Sequence, residues 1–378
     1  MLTRKQLIKN SIEHRSIDKI PLMYRGDPKI NEDLKDYFGL KNLQNEWDKL
    51  IEKLGADNFS DGASLGAFTT YFPKYIGPDF DSIYEPNHFF IWGIKPVVVK
   101  AGGANDIVFH RDPPLYDCNE INDLKKYKFP KTDWFDFKVY NIVTEAIEQK
   151  YKEQREIKAE DIRKSDKFFS NAYYLNSIFM TSIFLRGIDR MLMDLVGNVK
   201  YAEFLINSTG EFMLEFCKKY LASIGNKVDV YGIWDDIASQ DNLMISPNIW
   251  RRFYKPWHKK IIEVAKRYNL YVCFHICGNC SEVIPDLIEM GVDILDPVQV
   301  NAKNMELSSL KKHFGKHICF HGGLDAQRLI PLGNPDEIRQ EVRRIKELFT
   351  GEGGLILGPS HYITADTPIK NVLAIYGH

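Results

Sequence analysis

Residues 270–296 read LYVCFHICGNCSEVIPDLIEMGVDILD, and they hold one complete strand–helix–strand unit. The runs 270–277 (LYVCFHIC) and 292–296 (VDILD) are short and apolar, as strands buried in a parallel sheet are. Gly278 ends the first run, and the stretch between the two reads as a helix. The same alternation extends in both directions. Upstream, strands are expected at 20–25 (IPLMYR), 56–61 (ADNFSD), 168–174 (FFSNAYY) and 228–235 (VDVYGIWD). Downstream they are expected at 317–321 (HICFH) and 354–358 (GLILG). Eight strands alternating with helices predict an α/β protein closed as a (β/α)8 TIM barrel, with a doubly wound sheet as the alternative.

The helix starts are marked. Ser246-Pro247, Asn334-Pro335 and Thr367-Pro368 each place a capping side chain before a proline, whose missing N–H costs nothing in a first turn. After the first pair, Ile249, Phe253, Trp257 and Ile261 recur at helical spacing; after the second, Ile338, Val342, Ile345 and Leu348 do. The segment from about 84 to 165 breaks the rhythm. It holds a Val-rich strand (KPVVVKAGG), a second strand (DIVFH), two adjacent prolines and then charged helical sequence. This reads as a β-hairpin and helix inserted after the second strand, within a single domain spanning 1–378.

Composition excludes more than it assigns. The 378 residues carry 50 basic and 51 acidic side chains, a net charge of −1, so no polyanion-binding surface and no nucleic-acid partner are expected. No apolar run approaches the ~20 residues of a membrane span, and the N-terminus lacks the apolar core of a signal peptide. A cytoplasmic protein acting on a small molecule is expected, with room for a homodimer. In that compartment the six cysteines read as thiols or ligands, and three of them (Cys273, Cys277 and Cys280) fall within eight residues.

In a barrel the chemistry lies at the C-terminal ends of the strands. In YVCFHICGNC, alternation puts Cys273, His275 and Cys277 on one face, with His275 and Cys277 ~7 Å apart along the strand. Imidazole and thiolate form a borderline-soft donor pair suited to Zn2+. Cys280 opens the next helix, where a thiolate is stabilised. The alternative is a buried histidine among small hydrophobic thiols. Asp235 and Asp236 end another strand, with Gln240 beyond; one carboxylate is expected to face the site and the other to bind loop backbone. Asp296 and Gln299 follow in DILDPVQV, where Asp-Pro reads as a turn former and Gln299 as a mouth-facing group. His321 precedes Gly322-Gly323, a pair allowing either close ligand approach or a tight turn. The last loop offers Ser360, His361 and Tyr362. Arg25 and Asp61 end the first two strands; Arg25 either holds a substrate carboxylate or pairs with Asp61.

Taken in order, these segments resemble the uroporphyrinogen decarboxylase superfamily. The matching stretches are IPLMYRGDP, DDIASQDNLMISPNIWRRFYKPW, FHICGNCSEVIPDLIEMGVDILDPVQ, FHGGLDAQRLI and GPSHYITADTPIKNVLAIY. The likeness is closer to its MtaA/CmuA-type zinc-dependent methyltransferases than to true decarboxylases. Where the decarboxylases have RQAGRY, this chain has MYRGDPKI and keeps only Arg25; Asp61 in NFSDGA would match their central aspartate. The resemblance implies a TIM barrel with zinc on His275 and Cys277. The methyltransferases' later cysteine is missing, so the third ligand is left among Cys280, His361 and a carboxylate such as Asp236. It further implies a corrinoid brought by a partner protein, with no cobalamin-binding module in this chain. Asp236, His361, Gln299 and Asp61 are then the candidate catalytic groups. Arg25, Asp235, Gln240, His321 and Tyr362 are the candidate substrate-binding groups. The expected function is methyl transfer between a corrinoid protein and a small donor or thiol. The alternatives are a cofactor-free decarboxylase and a non-catalytic ligand-binding barrel.

Overall fold

Val230, Cys273, Ile294, Cys319 and Ile356 lie on the same face of five short strands and form one apolar cluster. The computed structural model describes residues 2–41, 46–57, 70–78, 90–95, 97–101, 104–108, 112–143, 156–158 and 177–378. Its strands are β1 (Thr70–Tyr75), β2 (Val97–Ala101), β3 (Ala104–Val108), β4 (Phe135–Val143) and β5 (Glu156–Lys158). They continue with β6 (Val230–Trp234), β7 (Tyr271–His275), β8 (Ile294–Val298), β9 (Cys319–Leu324) and β10 (Leu355–Pro359).

Strands β6 to β10 form a parallel sheet in the order β10-β9-β8-β7-β6. Helices between successive strands cover its outer face. There Phe274, Leu295 and Phe320 join the same core as Ile261, Leu287, Leu310 and Val342 from those helices. The five strands were all expected from the sequence. Of the other three, 20–25 is not a regular strand, yet it runs along β10: Met23 N–H donates to Leu357 O at 2.8 Å and Leu357 N–H to Pro21 O at 2.9 Å. On its other side Asp57 N–H donates to Leu22 O at 2.6 Å. Residues 58–61 of the second expected strand, Asp61 among them, and the third at 168–174 lie outside the described residues.

The inner face of the sheet is layered. Its lower layer is the apolar cluster, joined by Met23 and sealed by Ile8 and Ile12 of the helix Arg4–Ile12. Two residues further along, alternation raises Arg25, His275, Asp296 and His321 above it. An apolar floor under a polar layer leaves the polar side chains only one open direction.

The caps follow the sequence in two cases. Ser246 accepts from Ile249 N–H, and Asn334 forms a capping box with Glu337. The third does not: Pro368 itself is the cap of Ile369–Tyr376, and the Thr367 hydroxyl lies 3.3 Å from that of Thr364. The stretch read as one helix from Ile249 to Ile261 divides into Pro247–Phe253 and Lys255–Arg267. Pro256 has no N–H to continue the ladder, so the break falls just before it.

Within 84–165, β2 and β3 pair as an antiparallel hairpin, while β4 and β5 form a second antiparallel sheet with β1, which precedes the segment. Residues 135–143, in the stretch expected to be helical, are strand. FDFKVYNIV alternates with period two, and that periodicity outweighs its charges. Arg186 fastens the segment before it: its guanidinium is buried and donates to Leu115 O, Tyr116 O and Cys118 O while pairing with Asp194 at 2.7 Å. Among the described residues no helix is long and apolar enough to cross a membrane.

Candidate metal centre

Asp236 follows β6 by two residues, and Cys277 follows β7 by two. Since Trp234 pairs with His275, the two strands deliver their loop residues to one place. There the donor atoms of Asp236, His275 and Cys277 all lie within 4.8 Å of one another. Cys277 Sγ is 3.3 Å from His275 Nε2, and Asp236 Oδ1 is 3.9 Å from that nitrogen. Ligands around a tetrahedral zinc with bonds of 2.0–2.3 Å stand roughly 3.3–3.8 Å apart, so the donor set fits that ion in chemistry and comes close to its spacing. Asp236 Oδ1 also accepts from Cys277 N–H at 2.7 Å, tying the carboxylate to the thiol's own backbone.

Gly278 makes this turn achievable. Its φ is +92°, and a Cβ there would stand 2.3 Å from Ser239 O. Gly278→Ala adds a left-handed penalty of about 1–2 kcal/mol to that clash. The expected result is a melting temperature lower by at least about 1 °C together with weakened metal binding, since Cys277 is displaced with the turn. Calorimetry and a metal-binding titration on the same variant check it.

The adjacent aspartates divide as the sequence suggests, and the division removes Asp235 from the list of substrate contacts. Asp235 is fully buried; its oxygens accept from Phe179 N–H and Met180 N–H, both at 3.0 Å, and stand 2.9 Å from His258 Nε2. It fixes the start of the helix Ile178–Arg186 to the sheet and has no oxygen left for a ligand.

Asp296 is the residue the sequence reading undervalued. It lies within β8 rather than in a turn, is fully buried, and holds two histidines. His275 Nδ1 is 2.5 Å from Oδ2, and His321 Nδ1 bonds Oδ1. Burial works against its ionisation, but the two imidazoles outweigh burial and hold the carboxyl well below the usual range. The usable signal was parity: Asp296 shares a face with Ile294 and stands opposite His275.

Burial, then the nearby Asp236 carboxylate, pushes the Cys277 thiol well up. Cys280 belongs to the hydrophobic core, outside the donor group. It precedes only the three-residue turn Ser281–Val283, too short to favour a thiolate, and burial pushes its thiol up to about 12. His361 is exposed on the last loop and is likewise not in the group. Arg25 is buried with its guanidinium stacked over the Tyr362 ring at 4.1 Å. Gln240 donates to Gln299 at 2.9 Å, so those two side chains form one unit. Ser360 is buried and its hydroxyl accepts from Ala326 N–H. Gly322 and Gly323 belong to β9 rather than to a turn, and added Cβ atoms there would meet Val298 N at 3.1 Å and Leu307 at 2.6 Å.

The uroporphyrinogen decarboxylase (URO-D) family profile matches residues 175–377, more than half of the chain and all of the site just described except Arg25. The chain belongs to the URO-D family. Among curated URO-D relatives it is similar to methylcobamide:CoM methyltransferase MtbA of Methanosarcina acetivorans, 23% identical over 181 residues, or 47% of this chain and 49% of that one. The enzyme of the same name from Methanosarcina mazei is 26% identical over 180 residues, with the same two shares. A methylated-thiol–coenzyme M methyltransferase of M. mazei is 23% identical over 188 residues, 50% of this chain and 47% of that one. The chain thus spans about half the length of the curated relatives it matches. A solved methyltransferase from M. mazei superposes with a TM-score of 0.63 at 17% identity, covering 99% of this chain and 97% of the other. The two share a fold.

Proposed function

We propose that this URO-D protein is a zinc-dependent methyltransferase that moves a methyl group between a corrinoid protein and a small donor or thiol acceptor. The observation that carries the reading is the convergence of Asp236, His275 and Cys277. Three protein ligands with a fourth position open to substrate is the arrangement of a catalytic rather than a structural zinc. Zinc held there supplies a Lewis acid that keeps a bound thiol as its thiolate at neutral pH. The names of the matched relatives point to the same activity class.

The chain's own residues divide the remaining work. Asp236 sets the Cys277 backbone and contributes an oxygen to the site. Arg25, held flat by Tyr362, suits an anionic group on the substrate. Gln240 and Gln299 act as a linked pair on the rim, and His361 stands beside Tyr362 on the last loop. The corrinoid arrives on a separate protein. The architecture is read as a (β/α)8 barrel with 84–165 as an insertion. Met23, beside β10 at one edge, clusters with Val230 of β6 at the other, as a sheet curling toward closure requires.

The test is methyl transfer from methylcobalamin to a panel of thiols by the zinc-loaded protein, run beside turnover of uroporphyrinogen III. Zinc-dependent loss of methylcobalamin is expected, with no decarboxylation. Decarboxylation without methyl transfer would overturn the proposal.

A further inference from the structure

We infer that the buried Asp296 carboxylate orients His275 and His321 together, so that His321 presents its Nε2 to the site as a hydrogen-bond acceptor for a ligand with an acidic hydrogen, such as a thiol. The inference rests on the metal-centre reading above and gives His321 a role in it. A carboxylate has only acceptors, so an imidazole nitrogen bonded to it carries its proton. Each oxygen of Asp296 takes one Nδ1, from His275 and from His321. In its neutral form each ring is therefore the Nδ1–H tautomer, with its lone pair on Nε2. For His275 that lone pair points at Cys277 Sγ and Asp236, where the proposed zinc would be held.

His321 follows Cys319 by two residues as His275 follows Cys273, and both cysteines lie in the apolar floor. The two rings therefore rise from the same face of the sheet. Among the described residues no hydrogen bond is made to His321 Nε2, and the ring is nine-tenths buried. An apolar side chain of the same size in place of Asp296 would leave two buried imidazole N–H groups without an acceptor, so the carboxylate is poorly replaced. Asp296 is thus a positioning residue with two arms: one holds a metal ligand, the other a metal-independent acceptor.

The experiment is imidazole 15N–1H correlation spectroscopy on histidine-labelled protein, assigned through His275→Asn and His321→Asn, with and without zinc. Both rings are expected as Nδ1–H tautomers, and zinc should move Nε2 of His275 alone. Millimolar 2-mercaptoethanol added to the zinc-loaded protein should then move Nε2 of His321. In Asp296→Asn the amide offers one acceptor and one donor, so one ring must adopt the opposite tautomer. Zinc affinity should fall about 10–100-fold, as for other residues that orient a metal-bound histidine. An Nε2–H tautomer at His321 in the wild type, zinc affinity of Asp296→Asn within threefold of wild type, or no response of His321 to the thiol would overturn the inference. Should Asp296→Asn fail to fold, the wild-type tautomers and the thiol response still decide. A wild type that takes up no zinc refutes the metal reading instead, and the zinc-free tautomers remain readable on their own.

Discussion

Cys277→Ala is expected to lose stoichiometric zinc and, with it, methyl transfer on the order of a thousandfold. Removing the thiol deletes the softest of three donors and leaves an imidazole and a carboxylate, a pair that binds zinc far more weakly. A metal ion acting as Lewis acid supplies several kcal/mol to a reaction, and each 1.36 kcal/mol is a factor of ten. The variant should fold, because the Cys277 side chain is partly exposed and its backbone N–H still reaches Asp236. Metal analysis, circular dichroism and the methylcobalamin assay on one preparation check the three parts of the expectation. Because burial and Asp236 raise the thiol, zinc must displace its proton. Zinc affinity of the wild type should therefore rise with pH, about tenfold per unit, and Cys277→Ala should lose that slope.

The adjacent aspartates give the second large effect, and it takes opposite forms at the two positions. Asp235→Ala strips the acceptor from Phe179 N–H and Met180 N–H and leaves His258 beside an apolar gap. A buried donor left unsatisfied costs about 1–3 kcal/mol, so the pair should lower stability by about 2–5 kcal/mol. For a chain of this size that lowers the melting temperature by about 2–6 °C. Asp236→Ala removes a half-buried side chain whose main partner is one backbone N–H. It should change stability by less than about 1.5 kcal/mol, the net worth of one hydrogen bond, while weakening zinc binding at least tenfold. Thermal melts of both zinc-free variants, followed by zinc titration, separate the structural aspartate from the ligating one.

How far the sequence carried the fold depended on how complete each local signal was. All five strands of the parallel sheet were visible because each is a short apolar run between punctuating residues. The first segment was readable as apolar, but not that it would pair with β10 through scattered bridges rather than a regular ladder. Pro256 was on the page and ends a helix, yet the spacing of Ile249, Phe253, Trp257 and Ile261 concealed the break. Period-two alternation in FDFKVYNIV was equally visible, and its neighbouring charges pulled the reading toward helix.

At the site, His275 and Cys277 were legible because alternation along one strand fixes both. Asp236 entered only as one of several third donors, since its distance from His275 depends on the register of β6 against β7, a property of two strands. Asp296 was hidden by its own dipeptide: Asp-Pro signals a turn, and only the pairing of His275 with Asp296 shows that the carboxylate serves two rings. Cys280 misled for a physical reason. A helix start favours a thiolate only when the helix is long and the sulfur reaches solvent, and neither holds there.

The measurement that bears most directly on the centre is zinc-edge X-ray absorption on the wild-type protein purified with a thiol-free reductant. The structure predicts about one zinc per chain, with a single sulfur at roughly 2.3 Å and the remaining scatterers nitrogen or oxygen at roughly 2.0–2.2 Å. That signature belongs to Cys277 with His275 and Asp236. Absence of zinc, or two sulfurs in its first coordination sphere, would contradict it.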